Sequence, residues 1–117
     1  MLCSPRMKTK FALILSLGVL AAGVPTVLAA DAKANWDEHC AKCHGATGKA
    51  DTKMGARLKL KDYSDAKVQA ALTDEIIVKA TLEGVKDGDK EKMKAYGDVL
   101  SADGAKAIVG LIRSFKQ

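Results

Sequence analysis

The chain has 117 residues and a formal net charge of +5, with 19 Lys and Arg residues against 14 Asp and Glu residues. This length allows one domain, and a small one once the N-terminal segment is discounted. The positive charge gives little support to a nucleic-acid-binding function, because part of it lies in that same segment.

The first 29 residues have the composition of a secretory signal peptide. Three basic residues and no acidic residue lie within the first ten positions, and an almost wholly apolar stretch follows over 11–24. Val27 and Ala29 are permissive residues three and one positions before a cleavage point. The apolar stretch ends before Pro25 and is shorter than the roughly 20 residues that a membrane span requires. We therefore predict a cleaved signal peptide over 1–29.

Cleavage leaves residues 30–117 as one exported domain, which we place in the periplasm with no stable membrane anchor. Its net charge is only +2, since three of the 19 basic residues and none of the 14 acidic residues leave with the signal peptide. Cys3 leaves as well, so no disulfide framework explains the two cysteines that remain. A domain of this size has a marginal core, which a buried cofactor would stabilise.

A predicted first helix over 31–42, with Trp36 on it, leads into the segment Cys40-Ala41-Lys42-Cys43-His44. Two cysteines three positions apart with a histidine directly after them form the attachment signature of c-type haem. The two thiols can add across the two vinyl groups of the haem, and the imidazole becomes the proximal iron ligand. The segment therefore predicts one haem c per chain, attached at Cys40 and Cys43 and ligated by His44.

Two stretches have the composition of loops. Residues 45–63 contain three glycines among alternating Lys, Thr and small residues, with too few apolar positions for a helix or a strand. Residues 85–97 are rich in Lys, Asp and Gly and are interrupted by Met93 and Tyr96. We predict that the first loop wraps one edge of the haem and that the second connects two helices.

Between these loops, capping residues predict two helices. Ser64 or Asp65 can cap a helix that runs through position 72, and Thr73 can cap the next one, which Gly84 ends. Ile76, Ile77 and Ala80 are the predicted buried face of this second helix.

The last helix is predicted to begin after Ser101. Its apolar residues follow a helical spacing of i, i+3, i+4 and i+7, at Ile108, Leu111, Ile112 and Phe115. No segment alternates as a strand does, so the predicted fold class is all-α.

Three other interpretations of the cysteine motif agree less well with the sequence. A structural zinc site needs four ligands, but the candidates His39, Cys40, Cys43 and His44 lie within six residues of one another. A thioredoxin-like thiol-disulfide oxidoreductase needs a βαβ pattern and a cis-proline, and both prolines of the chain leave with the signal peptide. Simple packing of two buried cysteines would make the adjacent histidine and the export signal coincidences.

Two methionines are candidates for the distal iron ligand. Met54 lies ten residues after His44, and ten residues span at most roughly 35 Å, so Met54 could cross the haem only by using the whole loop. Met93 lies 49 residues after His44, beyond two predicted helices. The length of chain between His44 and each methionine therefore favours Met93 as the distal ligand.

Taken together, these residues resemble the class I mono-haem cytochromes c of bacteria. The resemblance is carried by Trp36, the segment Cys40 to Gly45, the segment Lys92 to Tyr96, and the end of the last helix, Ile112 to Phe115. It implies a fold of three to five helices packed round one covalent haem, with the first and last helices crossing. It also implies that His44 and Met93 are the two axial iron ligands.

The sequence departs from this family at three places. Lys94 follows Met93 where the family has proline, so a less constrained loop would let Met93 dissociate or be replaced by a flanking lysine at high pH. Ala56 replaces a proline whose backbone carbonyl accepts a hydrogen bond from the proximal histidine, and its own carbonyl is expected to take that role. Leu111 replaces an aromatic residue, which leaves Trp36 to supply aromatic bulk at the helix crossing.

Other polar residues have weaker assignments. His39 is expected to point away from His44 towards solvent, and Tyr63 and Arg57 are candidate partners of the haem propionates. The lysines at positions 86, 90, 92 and 94 form either a solvated surface or a basic rim that steers an acidic partner to the exposed haem edge.

The sequence thus predicts a soluble, monomeric one-electron carrier that shuttles electrons between periplasmic or membrane redox proteins, with no catalytic residue and no nucleic-acid partner. An alternative is a haem protein whose labile Met93 bond permits small-ligand binding or peroxidase-like chemistry. A remote alternative is the thiol-disulfide oxidoreductase.

Overall fold

The computed structural model describes residues 26–117, with side chains from residue 31 onward. Most of the predicted signal peptide, residues 1–25, lies outside this range. The elements in chain order are α1 (Thr26–Asn35), a π-helical turn (Trp36–Cys40), α2 (Ala41–His44), α3 (Lys53–Leu58), α4 (Ala66–Ala71), α5 (Asp74–Glu83), β1 (Val85–Asp87), β2 (Lys90–Met93) and α6 (Ala102–Ser114). The all-α prediction is confirmed, with one small hairpin added to it. No helix within residues 26–117 is long and apolar enough to cross a membrane.

The first helix is interrupted just before the cysteine motif. The N–H of Ala41 donates to the carbonyl of Trp36, five residues back, which defines the π turn over Trp36–Cys40. Such turns occur inside α-helices and often lie at functional sites. The prediction of a helix over 31–42 is confirmed, although the helix begins earlier, at Thr26, and changes register over the turn.

The first and last helices pack against each other, as the resemblance implied, and α6 also packs on α5. Trp36 is 1% exposed, and its ring centroid lies 5.1 Å from that of Phe115. Ile108 and Ile112 of the predicted stripe are buried, whereas Leu111 and Phe115 are half-buried against the core. The aromatic bulk at the crossing therefore comes from Trp36 and Phe115 together.

The predicted helix caps are present. Asp65 accepts a hydrogen bond from the N–H of Lys67 at the start of α4, and Thr73 accepts one from Ile76 at the start of α5. Ser101 caps α6 by accepting from the N–H of Gly104 at 3.0 Å. Caps of this kind contribute about 1 kcal/mol each.

The prediction that residues 45–63 form only a loop is wrong, because the stretch contains α3. The Thr52 hydroxyl accepts from the N–H of Gly55 at 2.9 Å and donates to the carbonyl of Cys43 at 2.7 Å. A cap that also forms a hydrogen bond with the cysteine motif thus stabilises this helix. Since α3 has no apolar stripe, its sequence does not show the spacing by which a helix is recognised.

The prediction that residues 85–97 form only a loop is also wrong, because β1 and β2 pair as an antiparallel hairpin. Gly88 turns the chain with a φ of +61°. Every residue of the two strands except Met93 is exposed. Since neither face of the hairpin is buried, no alternation of apolar and polar residues marks these strands.

A buried polar network that the sequence did not reveal joins α4 to α6. Gln69 is 5% exposed, and its side-chain amide donates to the carbonyls of Tyr63 and Ile112, both at 2.7 Å. Arg113 in turn donates to the backbone carbonyl and side-chain oxygen of Gln69, at 2.8 and 2.9 Å. It also donates to the carbonyl of Leu72. A single polar residue in a mainly exposed helix gives no periodic signal, so its burial depends on the packed fold.

Candidate functional site

An apolar cleft opens beside the cysteine motif, between α5, the end of β2 and α6. Its empty space, counting the part open to solvent, is about 430 Å³. Its lining residues are Trp36, Cys40, His44, Tyr63, Leu72, Ile76, Ile77, Ala80, Thr81, Met93, Ile108 and Ile112. Three predicted site residues, Cys40, His44 and Met93, therefore reach one cleft from two distant segments of the chain.

The two thiols of the motif have different surroundings. Cys40 is 7% exposed, and its burial, with the nearby Cys43, raises the pKa of its thiol to about 11. Cys43 is half-buried and does not line the cleft. A thiol-disulfide oxidoreductase requires a thiol whose pKa is lowered, because the thiolate is the nucleophile. The raised pKa of Cys40 therefore counts against that function.

The imidazole of His44 packs with two aromatic rings, whose centroids lie 6.5 Å from each other. The Tyr63 ring stacks on it at 5.3 Å with an interplanar angle of 17°, and the Trp36 ring lies 5.7 Å away. Burial lowers the pKa of His44, so the ring is neutral near pH 7 and has a lone pair for a metal. Its Nδ1 is buried and has no hydrogen-bond partner.

The expected hydrogen bond between His44 and the carbonyl of Ala56 is absent, since Nδ1 has no partner. The Ala56 carbonyl instead accepts from the N–H of Lys59 at 3.3 Å. Ala56 lies inside α3, so its carbonyl points along the helix towards the N–H of Lys59.

The backbone of the motif is fixed from several sides. The Trp36 indole N–H donates to the carbonyl of Gly45 at 3.0 Å, and the N–H of Ala50 donates to the carbonyl of His44 at 2.8 Å. Gly45 has a φ of +83°, and a Cβ there would collide with the carboxylate of Asp51. The Asp51 side chain can rotate away, so it is the positive φ that favours glycine as the residue after His44.

Met93 and Met54 lie in different surroundings. Met93 is the last residue of β2, is half-buried and lines the cleft. Met54 is half-buried in α3 and is not among the lining residues. The fold therefore brings Met93 and not Met54 to the side of the cleft that α5 and β2 form.

Ile76 departs from the predicted buried face of α5. Its neighbour Ile77 is 6% exposed, and Ala80 is half-buried, but Ile76 is 51% exposed at the rim of the cleft. Ile76 faces the cleft opening instead of packing into the protein core.

The other polar candidates lie outside the cleft, except Tyr63. His39 is only partly exposed, and its ring lies 5.5 Å from the ring of Tyr96 rather than in open solvent. Arg57 is exposed on α3. The lysines at positions 86, 90, 92 and 94, on or beside the hairpin, are exposed as well. Lys92 lies 4.0 Å from Asp87, and Lys94 lies 5.9 Å from the centroid of the Tyr96 ring.

The cleft fits a haem. The Cys40 thiol, the neutral His44 imidazole and the Met93 thioether line one apolar opening, and Cys43 lies at the attachment spacing from Cys40. Within the described residues, no three His, Cys, Asp or Glu side chains gather to hold a bare metal ion.

Comparisons with known proteins agree with this description. The family model for cytochrome c oxidase, cbb3-type, subunit III matches residues 27–112. The structure of the KustC0563 c-type cytochrome is 32% identical with a TM-score of 0.66, and the match covers 74% of this chain and 99% of that chain. A mutant of Kustc0563 has the same identity and coverage with a TM-score of 0.64. No curated protein matches the chain.

The fold and the cleft define a c-type cytochrome with a single haem. The chain belongs to the family of cytochrome c oxidase, cbb3-type, subunit III. It binds haem c covalently, with Cys40 and Cys43 in the attachment motif, and it is a haem electron carrier.

Proposed function

We propose that this protein is an exported, soluble one-electron carrier in which His44 and Met93 are the axial ligands of a haem attached to Cys40 and Cys43. The observation that carries the proposal is the shared cleft of His44, Met93 and Cys40. Bound haem supplies a one-electron ferric/ferrous couple at its iron. Histidine and methionine ligation favours a higher reduction potential than ligation by two histidines.

The residues of the chain orient and enclose the iron site. Trp36 and Tyr63 pack against the His44 ring in one aromatic cluster, and burial keeps that ring neutral. The apolar side chains of α5 and α6 exclude water, which disfavours the extra charge of the ferric state. No side chain has to give or accept a proton, so no catalytic residue is assigned.

Electron exchange is proposed to occur with redox proteins that dock at the exposed haem edge near the cysteines. Four exposed lysines at positions 86, 90, 92 and 94 lie on or beside the hairpin that carries Met93. Their positive charge would attract an acidic partner. We propose a monomer in the periplasm, released there by cleavage of residues 1–29, and the mass of the exported protein tests that cleavage.

A second candidate is a haem protein with a labile Met93 bond that binds small ligands or acts as a peroxidase. One observation favours it: the hairpin that ends at Met93 is exposed along both strands. Neither Lys94 nor Ala95 restricts the backbone after Met93 as a proline would.

Two measurements test the proposal. A haem stain of the denatured mature protein should be positive, and a negative stain would exclude covalent haem. Met93→Ala should abolish the sulfur-to-iron charge-transfer absorption of the ferric protein, whereas the matched control Met54→Ala should retain it. The reverse result would assign the distal ligand to Met54, and retention of the band in both variants would exclude both assignments.

A further inference from the structure

The phenol of Tyr96 joins the segment that carries Met93 to the segment that carries Cys40. Its hydroxyl donates to the backbone carbonyl of His39 at 3.1 Å, across 57 positions of the sequence. The two rings also pack together, with centroids 5.5 Å apart and planes inclined by 48°. His39 lies in the π turn, directly before Cys40.

The acceptor carbonyl belongs to the helix that leads into the cysteine motif. A carbonyl oxygen has two lone pairs, so His39 can accept the phenol beside any hydrogen bond within its own helix. This carbonyl lies in the π turn, between Trp36 and Ala41. The contact therefore connects Tyr96 to the rigid part of the haem-attachment segment.

The backbone of Tyr96 also forms hydrogen bonds. Its N–H donates to the carbonyl of Thr81 in α5 at 3.0 Å, and its carbonyl accepts from the N–H groups of Val99 and Leu100. Only two exposed residues, Lys94 and Ala95, separate it from Met93. Met93 is thus held by the hairpin on one side and by Tyr96 on the other.

We infer that Tyr96 is a positioning residue that keeps Met93 at the iron by tying its segment to His39. The inference rests on the proposed function, in which Met93 is the distal ligand. Tyr96 does not line the cleft, so it acts through the backbone that it holds and not by contact with the haem site. Loss of the hydroxyl would let the Met93 segment leave the iron more often.

Imidazole binding to the ferric holoprotein measures how often Met93 leaves. An external ligand can bind only the fraction of molecules in which the site is open, so its apparent affinity rises with that fraction. Tyr96→Phe removes one partly buried hydrogen bond, and it should raise the apparent imidazole affinity about 2- to 10-fold. At saturating imidazole, the binding rate reports the opening step, and it should rise in the same variant.

Ser101→Ala is the matched control. It removes one hydrogen bond at the start of α6, and that bond involves neither Met93 nor Tyr96. It should lower the thermal midpoint of unfolding and leave imidazole affinity within about twofold of the wild type. An equal rise in both variants would show that the effect is general destabilisation, and it would overturn the role of Tyr96.

The outcome also separates this inference from the proposed function. If the wild-type ferric protein shows the sulfur-to-iron charge-transfer band and Tyr96→Phe leaves both the affinity and the opening rate unchanged, only the role of Tyr96 is overturned. If the wild type lacks the band, methionine ligation itself is wrong and both proposals fail.

Discussion

Gly84 lies directly against the backbone of Met93. A Cβ at Gly84 would be 2.5 Å from the Met93 carbonyl oxygen and 2.8 Å from the backbone nitrogen of Ala95. Gly84 also has a φ of +75°, a backbone conformation that residues other than glycine adopt with difficulty. The residue that ends α5 therefore sets how closely the Met93 segment can approach that helix.

We predict that Gly84→Ala displaces Met93. The added methyl group collides with backbone atoms, which cannot rotate away as a side chain can, so the segment has to shift. The ferric charge-transfer absorption should weaken or disappear, which absorption spectroscopy of the purified protein measures.

Gly88→Ala is the control for the backbone conformation alone. Gly88 has a φ of +61°, but a Cβ there would meet nothing within 4 Å. This variant should lose about 1 kcal/mol of unfolding free energy and keep the wild-type spectrum. A spectral change of the same size in both variants would contradict the proposed contact.

We further predict that Arg113→Lys destabilises the fold. A lysine cannot reproduce the fork that donates to Gln69, Leu72 and Asp74, so carbonyl groups at the end of α4 lose their partner. The free energy of unfolding should fall by about 1–3 kcal/mol, measured by chemical denaturation of the holoprotein. Asp74→Asn should cost at most about 1 kcal/mol, because that side of the network is largely exposed. Equal losses of unfolding free energy in the two variants would mean that the ion pair with Asp74, and not the bonds to the carbonyl groups, contributes most of the stability.

The sequence predicted the helices of the fold better than the surroundings of the site. Ser101, Thr73 and Gly84 mark helix ends through local chemistry that acts within a few residues, and the structure has those ends. The helix α3 and the hairpin were missed, because α3 depends on a bond from Thr52 to Cys43 and the hairpin buries neither face. Local patterns do not contain such distant contacts.

In the haem site too, features set by neighbouring residues were predicted, and features that depend on distant contacts were not. The spacing of Cys40, Cys43 and His44 is local, so the haem could be predicted from it. The bond from Tyr96 to His39 joins residues that are far apart in the sequence, and the burial of Gln69 requires the packed helices. The carbonyl of Ala56 was expected to accept from His44, but it points along α3 towards the N–H of Lys59.

Asp62 makes the stability of the fold depend on pH. Hydrogen bonds from the hydroxyl and the N–H of Ser64, at 2.6 and 2.8 Å, hold the pKa of Asp62 below its ordinary value of 3.8. A lowered folded-state pKa stabilises the protein above the ordinary value, and this contribution is lost as the pH falls through the lowered pKa. Asp62→Ala should therefore lower the thermal midpoint at pH 5–7, and the difference from wild type should shrink below about pH 4. A difference in thermal midpoint between the wild type and Asp62→Ala that stays the same at every pH would contradict the role of the Asp62 carboxylate.

The hairpin lysines should accelerate electron exchange with anions. Replacing Lys86 and Lys90 by glutamine removes two exposed positive charges beside the strand that carries Met93. We expect the rate of oxidation by ferricyanide to fall about two- to tenfold at low ionic strength, and the difference to vanish at high salt because the charges are screened. The control variant replaces Lys67 and Lys106 by glutamine, which removes the same charge from exposed positions on α4 and α6. Stopped-flow measurements over a range of salt concentrations compare the two double variants. Equal rates in both would show that only net charge matters and that the hairpin lysines are a solvated surface rather than a docking rim.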